Sequence, residues 1–346
     1  MKSLKLKENI YWVGSLDPKL RVFDIIMETE FGTTYNSYVV VGSQKTAVFE
    51  TVKAKCFPEY KEKLIEILGD LKKIDYIVVN HTEPDHAGSV EMLLDIVPTA
   101  KVIGSENAID FLKEIANKDF DSKIVKHGDT LDLGNKTLKF VAAPFLHWPD
   151  SIYTYIPEDN VLVTCDSFGA HYSFDDVLYS KIPEDKKGDY MSALVYYYTA
   201  IFSPFKKYVL EAIEKIKDYK IDMICTGHGP VLDKEPFEIV KLYKEWSTEK
   251  NPNTKKTIVI PYCAAYGYTG ELMKKIVEGL NSAGDFNIKS YEINIANYGG
   301  LKGEIMNEIY FADGILLGTS TINGDALPLI WDIAVSLNPI VHGGKT

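Results

Sequence analysis

No two of the four cysteines, Cys56, Cys165, Cys225 and Cys263, stand two or three residues apart. That excludes a dithiol redox motif or a zinc knuckle, and four scattered thiols make no disulfide framework. A reducing, cytoplasmic compartment is therefore expected. Long apolar runs are missing too. None approaches the roughly 18 residues that mark a membrane span, and the Lys-rich start, residues 1–8, leads into no apolar leader segment. Positive charge is in deficit: 38 Lys and Arg against 49 Asp and Glu give a net charge of −11. This argues against non-specific nucleic-acid binding and against an anionic membrane surface. There is no internal repeat and no low-complexity tract.

What is present is an ordinary globular composition, 46% hydrophobic and 25% charged, over 346 residues. This excludes a disordered or fibrous chain and gives room for about two domains. Twenty-two tyrosines are present, with no repeat to account for them. Apolar or alternating runs predict strands at 10–13, 22–26, 38–41 and 46–49. Helical spacing covers 60–71, and the short apolar run 76–80 predicts a buried strand. Further helices are expected at 89–97, 191–198, 204–217 and 236–249, with strands at 101–104, 137–142, 153–156, 161–164 and 222–226. The polar segment 250–256, with Pro252, breaks this pattern and predicts a boundary between domains 1–250 and 254–346. Beyond it, strands at 257–261, 288–293 and 314–318 alternate with helices at 271–281, 303–311 and 327–337, and a fourth strand is expected from Pro339. That alternation implies a doubly wound parallel sheet.

The most informative stretch is Asn80-His81-Thr82-Glu83-Pro84-Asp85-His86. Four possible metal ligands fall within six residues, just after a buried strand, where α/β enzymes place their chemistry. Three other strand ends carry a His or Asp beside Gly, Pro or Ser: His147 in Leu-His-Trp-Pro-Asp-Ser, Asp166 in Thr-Cys-Asp-Ser, and His228 in Thr-Gly-His-Gly-Pro. One such histidine is more often a hydrogen-bonded loop residue. Four histidines with three carboxylates in this layout point to a metal site. Cys165 is expected to be a buried inert thiol, and His127 a turn residue. His171 is a candidate for a donor behind the ligands, and Tyr197 or Tyr198 for a donor to a bound intermediate, with core packing as the competing reading.

These positions resemble the metallo-β-lactamase superfamily, whose zinc pattern is H-x-H-x-D-H followed by His, a bridging Asp and His. Glu83 stands where the second histidine would be. A carboxylate there makes the site harder and more anionic, which suits iron better than zinc. With that replacement, and with intervals of 61, 19 and 62 residues from His86 to His147, Asp166 and His228, the chain resembles the flavodiiron family along essentially its whole length. The resemblance implies an N-terminal αββα sandwich with two irons. One iron would take His81, Glu83 and His147, the other Asp85, His86 and His228, with Asp166 bridging them.

In the second domain, Ala264-Ala265-Tyr266-Gly267-Tyr268-Thr269 joins a strand to a helix. Small residues there let backbone N–H groups close around a phosphate at a helix start. The loop Thr319-Ser320-Thr321-Ile322-Asn323 offers hydroxyl and amide groups for a flavin ring edge and ribityl chain. Together they resemble a flavodoxin-like domain, and FMN is the implied cofactor. The 93 residues from Thr254 to Thr346 are fewer than such a domain needs, so the domain is expected to be C-terminally incomplete and to bind FMN poorly without the remaining strands and loop.

The resemblance implies an oxidoreductase that reduces dioxygen to water, or nitric oxide to nitrous oxide. Its donor would be a separate rubredoxin or a reduced deazaflavin coenzyme, and its assembly a head-to-tail homodimer or a dimer of dimers. A zinc hydrolase with an appended docking domain is the alternative, and a non-catalytic electron carrier a third.

Overall fold

Side-chain alternation decides the layering of the N-terminal part. In a seven-stranded sheet, Val39, Val48, Ile77 and Val102 face one way, and Tyr38, Val40, Phe49, Val78 and Ile103 the other. The first set packs on Tyr60 and Leu64 of the helix Phe57–Leu68, and on Val90–Ile96 and Glu106–Ala116. The second set meets Leu138, Phe140, Ile152, Val161, Val163 and Cys225, from a five-stranded sheet. That sheet turns Val141, Tyr153, Leu162 and Ile224 outward, onto the helices Lys187–Tyr197, Lys206–Ile216 and Phe237–Ser247. The result is helices, sheet, sheet, helices, with period-two faces buried on both sides of each sheet. The computed structural model describes residues 2–248 and 250–346, which split into the units Met1–Thr248 and Glu249–Thr346.

The second unit is a parallel sheet in which Thr257–Cys263 lies between Asn287–Glu292 and Gly314–Ile315. The sheet order is thus second, first, third, as in flavodoxin-type doubly wound sheets. The helices Tyr298–Phe311 and Pro328–Val335 cover it through Ile305, Ile309, Ile330 and Ile333.

Several sequence expectations need correction. The run 22–26 is not one strand. Val22–Phe23 and Met27–Glu28 pair across a turn in which Asp24 and Ile25 both take positive φ. The strand expected over 314–318 is two short pieces, Gly314–Ile315 and Gly318–Thr319, both paired to Thr257–Cys263. The strand expected from Pro339 is a helical turn, Pro339–His342. Asn338 caps it by accepting from Ile340 N, and proline suits its first position. The place beside Gly314–Ile315 is taken by Thr346, which donates to Asp313 and accepts from Ile315.

Candidate metal centre

Four loops at strand ends converge at one end of the two-sheet unit. Val79–His86 follows the strand Tyr76–Val78. His147 lies between Thr137–Ala142 and Ile152–Ile156. Asp166 follows Val161–Cys165, and His228 follows Met223–Thr226. Backbone conformation aims these groups. Glu50, Phe145, Cys165 and Phe168 all have positive φ, a conformation that costs roughly 1–3 kcal/mol in a non-glycine residue and concentrates at functional sites. Glu83 is the cap of the short helix Pro84–Ala87, whose first turn carries Asp85 and His86.

The seven candidate ligands fall into two groups that share Asp166. In one, His81, Glu83, His147 and Asp166 each present a ligand atom within 4.8 Å of the others; in the second, Asp85, His86 and His228 do. Asp166 Oδ2 lies 3.4 Å from His81 Nε2 and 3.4 Å from His147 Nε2. Its Oδ1 lies 2.9 Å from His86 Nε2 and 3.4 Å from His228 Nε2. Glu83 Oε2 is 3.3 Å from His81 and 3.1 Å from His147, and Asp85 Oδ2 is 2.9 Å from His228. Ligand atoms held about 2.1 Å from a common metal are separated by about 3.0–3.4 Å, so both groups have the spacing of a coordination shell.

The donor chemistry also fits metal ions. Asp85 and Asp166 are each 2% exposed, and neither oxygen of Asp85 has a hydrogen-bond donor. Among the described residues, no Lys or Arg forms an ion pair with Asp85, Glu83 or Asp166; imidazoles face them, and the Tyr197 hydroxyl meets Asp166. Two carboxylates buried this way, with the partly exposed Glu83 beside them, need compensating positive charge. Without metal, the imidazoles themselves supply it. Burial opposes charge on His86, but Asp85 and Asp166 outweigh it and raise its pKa to about 10. Burial also works against ionised Asp166, yet His86 and the contact with His147 hold it well below the usual carboxylate range.

Behind the ligands stands a layer of fixing bonds. His81 Nδ1 donates to Asp150 at 3.1 Å, and Asp150 in turn accepts from the backbone N–H and hydroxyl of Thr82 at 2.7 and 2.8 Å. His228 Nδ1 donates to the Thr34 carbonyl at 2.6 Å. These bonds set which ring nitrogen faces inward, the usual function of groups behind a metal ligand. Asn36 pins the His228 loop by donating to the carbonyls of Thr226 and Gly229, both at 2.9 Å. Glu50 accepts from Asn80 N at 2.9 Å, and burial raises its pKa to about 7.

Sequence reading missed these supporting residues. Asp150 stands three positions after His147 in a motif that was already conspicuous, and its full burial was the hidden fact. Asn36 and Thr34 stand just before the strand expected at 38–41 and carry no local signal of their own. Tyr197 lies at the site, its hydroxyl donating to Asp166 Oδ1 at 3.2 Å, whereas the Tyr198 hydroxyl meets Ser247 at 2.8 Å, away from the ligands. His171 packs its ring on His228, with centroids 4.9 Å apart. Cys165 is buried and its thiol pKa is pushed well up by that burial, so it is held as the neutral thiol.

In the second unit the two loops named from sequence meet at Ser320. Its hydroxyl accepts from Ala265 N at 3.0 Å and lies 3.1 Å from the Thr269 hydroxyl. Gly267 caps the helix Tyr268–Ala283 in the left-handed conformation, and Tyr266 and Tyr268 are 86% and 83% exposed. The helix thus begins three residues earlier than expected. Thr319 Oγ1 accepts from Leu327 N at 3.0 Å, and Asn323 and Gly324 turn the second loop with positive φ.

Known proteins agree with this architecture. The profile of a family described as "ODP family beta lactamase" matches residues 33–229. A flavo-diiron protein of Clostridium acetobutylicum is 42% identical, over 98% of this chain and 84% of its own length. A protein of Moorella thermoacetica named nitric oxide reductase is 34% identical, over 96% of this chain and 82% of its own. Among solved structures, the rubredoxin oxygen:oxidoreductase of the anaerobe Desulfovibrio gigas superposes with a TM-score of 0.71 at 27% identity, covering 99% of this chain and 84% of that one. With its two ligand groups joined by one aspartate, the chain belongs to the flavodiiron protein family.

Proposed function

We propose that this chain reduces dioxygen to water at two irons, with electrons arriving through FMN. The observation that carries this reading is Asp166, whose two oxygens face separate ligand groups. One iron would be held by His81, Glu83 and His147, the other by Asp85, His86 and His228, with Asp166 shared. Bound iron supplies redox electrons and Lewis acidity, and FMN supplies the reducing equivalents. The rest is work for the protein. Asp150 and Thr34 hold His81 and His228 in the tautomers that present Nε2. The Tyr197 hydroxyl, its oxygen 3.2 Å from Asp166 Oδ1, holds a proton there. The rings of Trp148 and Phe202 flank His147 edge-on. For FMN, the loop 264–269 would take the phosphate, and Thr319, Ser320, Thr321, Ile322 and Asn323 the ribityl chain and ring edge.

Nitric oxide is the second reading, favoured by the relative named nitric oxide reductase at 34% identity. A zinc hydrolase is disfavoured by Glu83, which replaces an imidazole. The donor in this reading is a separate rubredoxin or a reduced deazaflavin coenzyme. The compartment is cytoplasmic; among the described residues no helix is long and apolar enough to cross a membrane. The active assembly is a head-to-tail homodimer or a dimer of dimers, since two-fold closure gives two equal contacts at once. The test is metal and flavin content of the purified protein, then consumption of dioxygen and of nitric oxide with each reduced donor. Iron and FMN present with neither gas consumed would defeat the reading.

A further inference from the structure

Two buried polar atoms, one of them on the histidine that packs on His228, lack partners within the protein, and their residues line one cavity. This cavity, about 220 Å³, is lined by Thr29, Phe31, His171, Ser192, Ala193 and Tyr196, among others. Thr29 is 2% and His171 3% exposed, and neither Thr29 Oγ1 nor His171 Nε2 has a hydrogen-bond partner within the protein. Thr33 Oγ1 lies 2.9 Å from His171 Nδ1 and 3.3 Å from the Thr34 carbonyl. Nε2, on the other side of the ring, donates or accepts according to the tautomer, and the Thr29 hydroxyl can do both. Water is the ligand that satisfies both atoms, and the volume holds several molecules at about 30 Å³ each.

The cavity shares Glu30 and Phe31 with a wider groove of about 710 Å³, which also carries Arg21, Lys181 and Lys186. On its inner side, His171 packs edge-on against Tyr197 and His228, with centroids 4.8 and 4.9 Å apart. Tyr197 is the residue that donates to Asp166. One imidazole therefore separates the cavity from the groups lining the proposed metal centre.

We infer that this cavity is a solvent port, a site of ordered water behind His171 through which the reaction exchanges protons and water with bulk solvent. The inference rests on the proposed reaction, in which each dioxygen takes up four electrons and four protons and leaves as two waters.

A crystal structure of the loaded protein, at a resolution that shows ordered water, tests the site directly. Water within hydrogen-bonding distance of both Thr29 Oγ1 and His171 Nε2 is expected, and a cavity without water there overturns the inference. Two variants test the role: Ala193→Leu, which fills the cavity, and Thr29→Val, which removes the hydroxyl at nearly constant shape. Each should displace or disorder the water, lower turnover by about tenfold and enlarge the solvent isotope effect, with iron and FMN content unchanged. Thr29→Val stands alone if Ala193→Leu fails to fold. Unchanged turnover and isotope effect in a variant that has lost the water would also overturn it. The crystallographic readout is independent of which gas is reduced, so failure of the proposed reaction is distinguishable from failure of the port.

Discussion

The Tyr197 hydroxyl donates to Asp166 Oδ1 at 3.2 Å, on the same oxygen that faces His86 at 2.9 Å. A neutral phenol thus sits on one side of the carboxylate that joins the two ligand groups. Burial, followed by the negative charge of Asp166, pushes the Tyr197 pKa well up, so the proton stays on the hydroxyl at neutral pH. The segment Tyr198–Phe202 that follows is a π-helical turn, a feature common at functional sites.

Tyr197→Phe keeps the ring and removes that proton. Turnover is expected to fall about tenfold, with metal content unchanged. Loss of metal along with activity would mean that the hydroxyl serves to build the site.

Asp166→Ala removes the group common to both clusters. Elemental analysis should then find both metal positions depleted. A variant retaining a full pair would contradict the bridging assignment.

Gly227 has a steric reason to be glycine. A Cβ there would lie 2.7 Å from His86 Cε1 and 3.0 Å from the Cys165 carbonyl carbon. Gly227→Ala should displace His86, cost about 1–3 kcal/mol as other overpacked sites do, and weaken metal binding. Gly188→Ala is the control, since nothing lies within 4 Å of its added Cβ. Chemical denaturation of the two variants separates these outcomes.

Metal-free protein should lose stability as pH rises. His86 has its pKa raised from 6.5 to about 10, so its contribution is complete below pH 6.5 and is lost as pH climbs to 10. Glu50, raised by burial from 4.5 to about 7, adds a loss across that lower window. The depressed carboxyls of Asp85 and Asp166 act oppositely, stabilising above their usual range and failing only in acid. Melting temperature in chelator should therefore fall from pH 6.5 to 10. Metal-loaded protein, in which imidazole lone pairs bind metal instead of protons, should lack that fall. A flat or rising profile without metal would contradict the charge assignment.

Much of the candidate centre was legible because its candidate ligands sit at the ends of short apolar strands, a pattern local in sequence. His81, Glu83, Asp85 and His86 lie in one loop, and the sheets bring the other three to it. Asp150, Thr34 and Asn36 were not legible, since their importance comes from burial and from partners 68 to 194 residues away. The strand reading at Pro339 followed hydrophobicity alone, whereas the Asn338 cap and the proline favour a helical turn. The split at 314–319 falls where Pro261, with no N–H to donate, interrupts the ladder between the two pairings, although Leu316 N still bonds to the Val259 carbonyl at 3.0 Å.

The central claim is a pair of irons joined by Asp166. Elemental analysis combined with Mössbauer spectroscopy, on protein expressed with ample iron and purified without oxygen, tests it most directly. Two irons per chain with magnetic coupling across a shared ligand is the predicted result. Two zinc ions and no iron would contradict it.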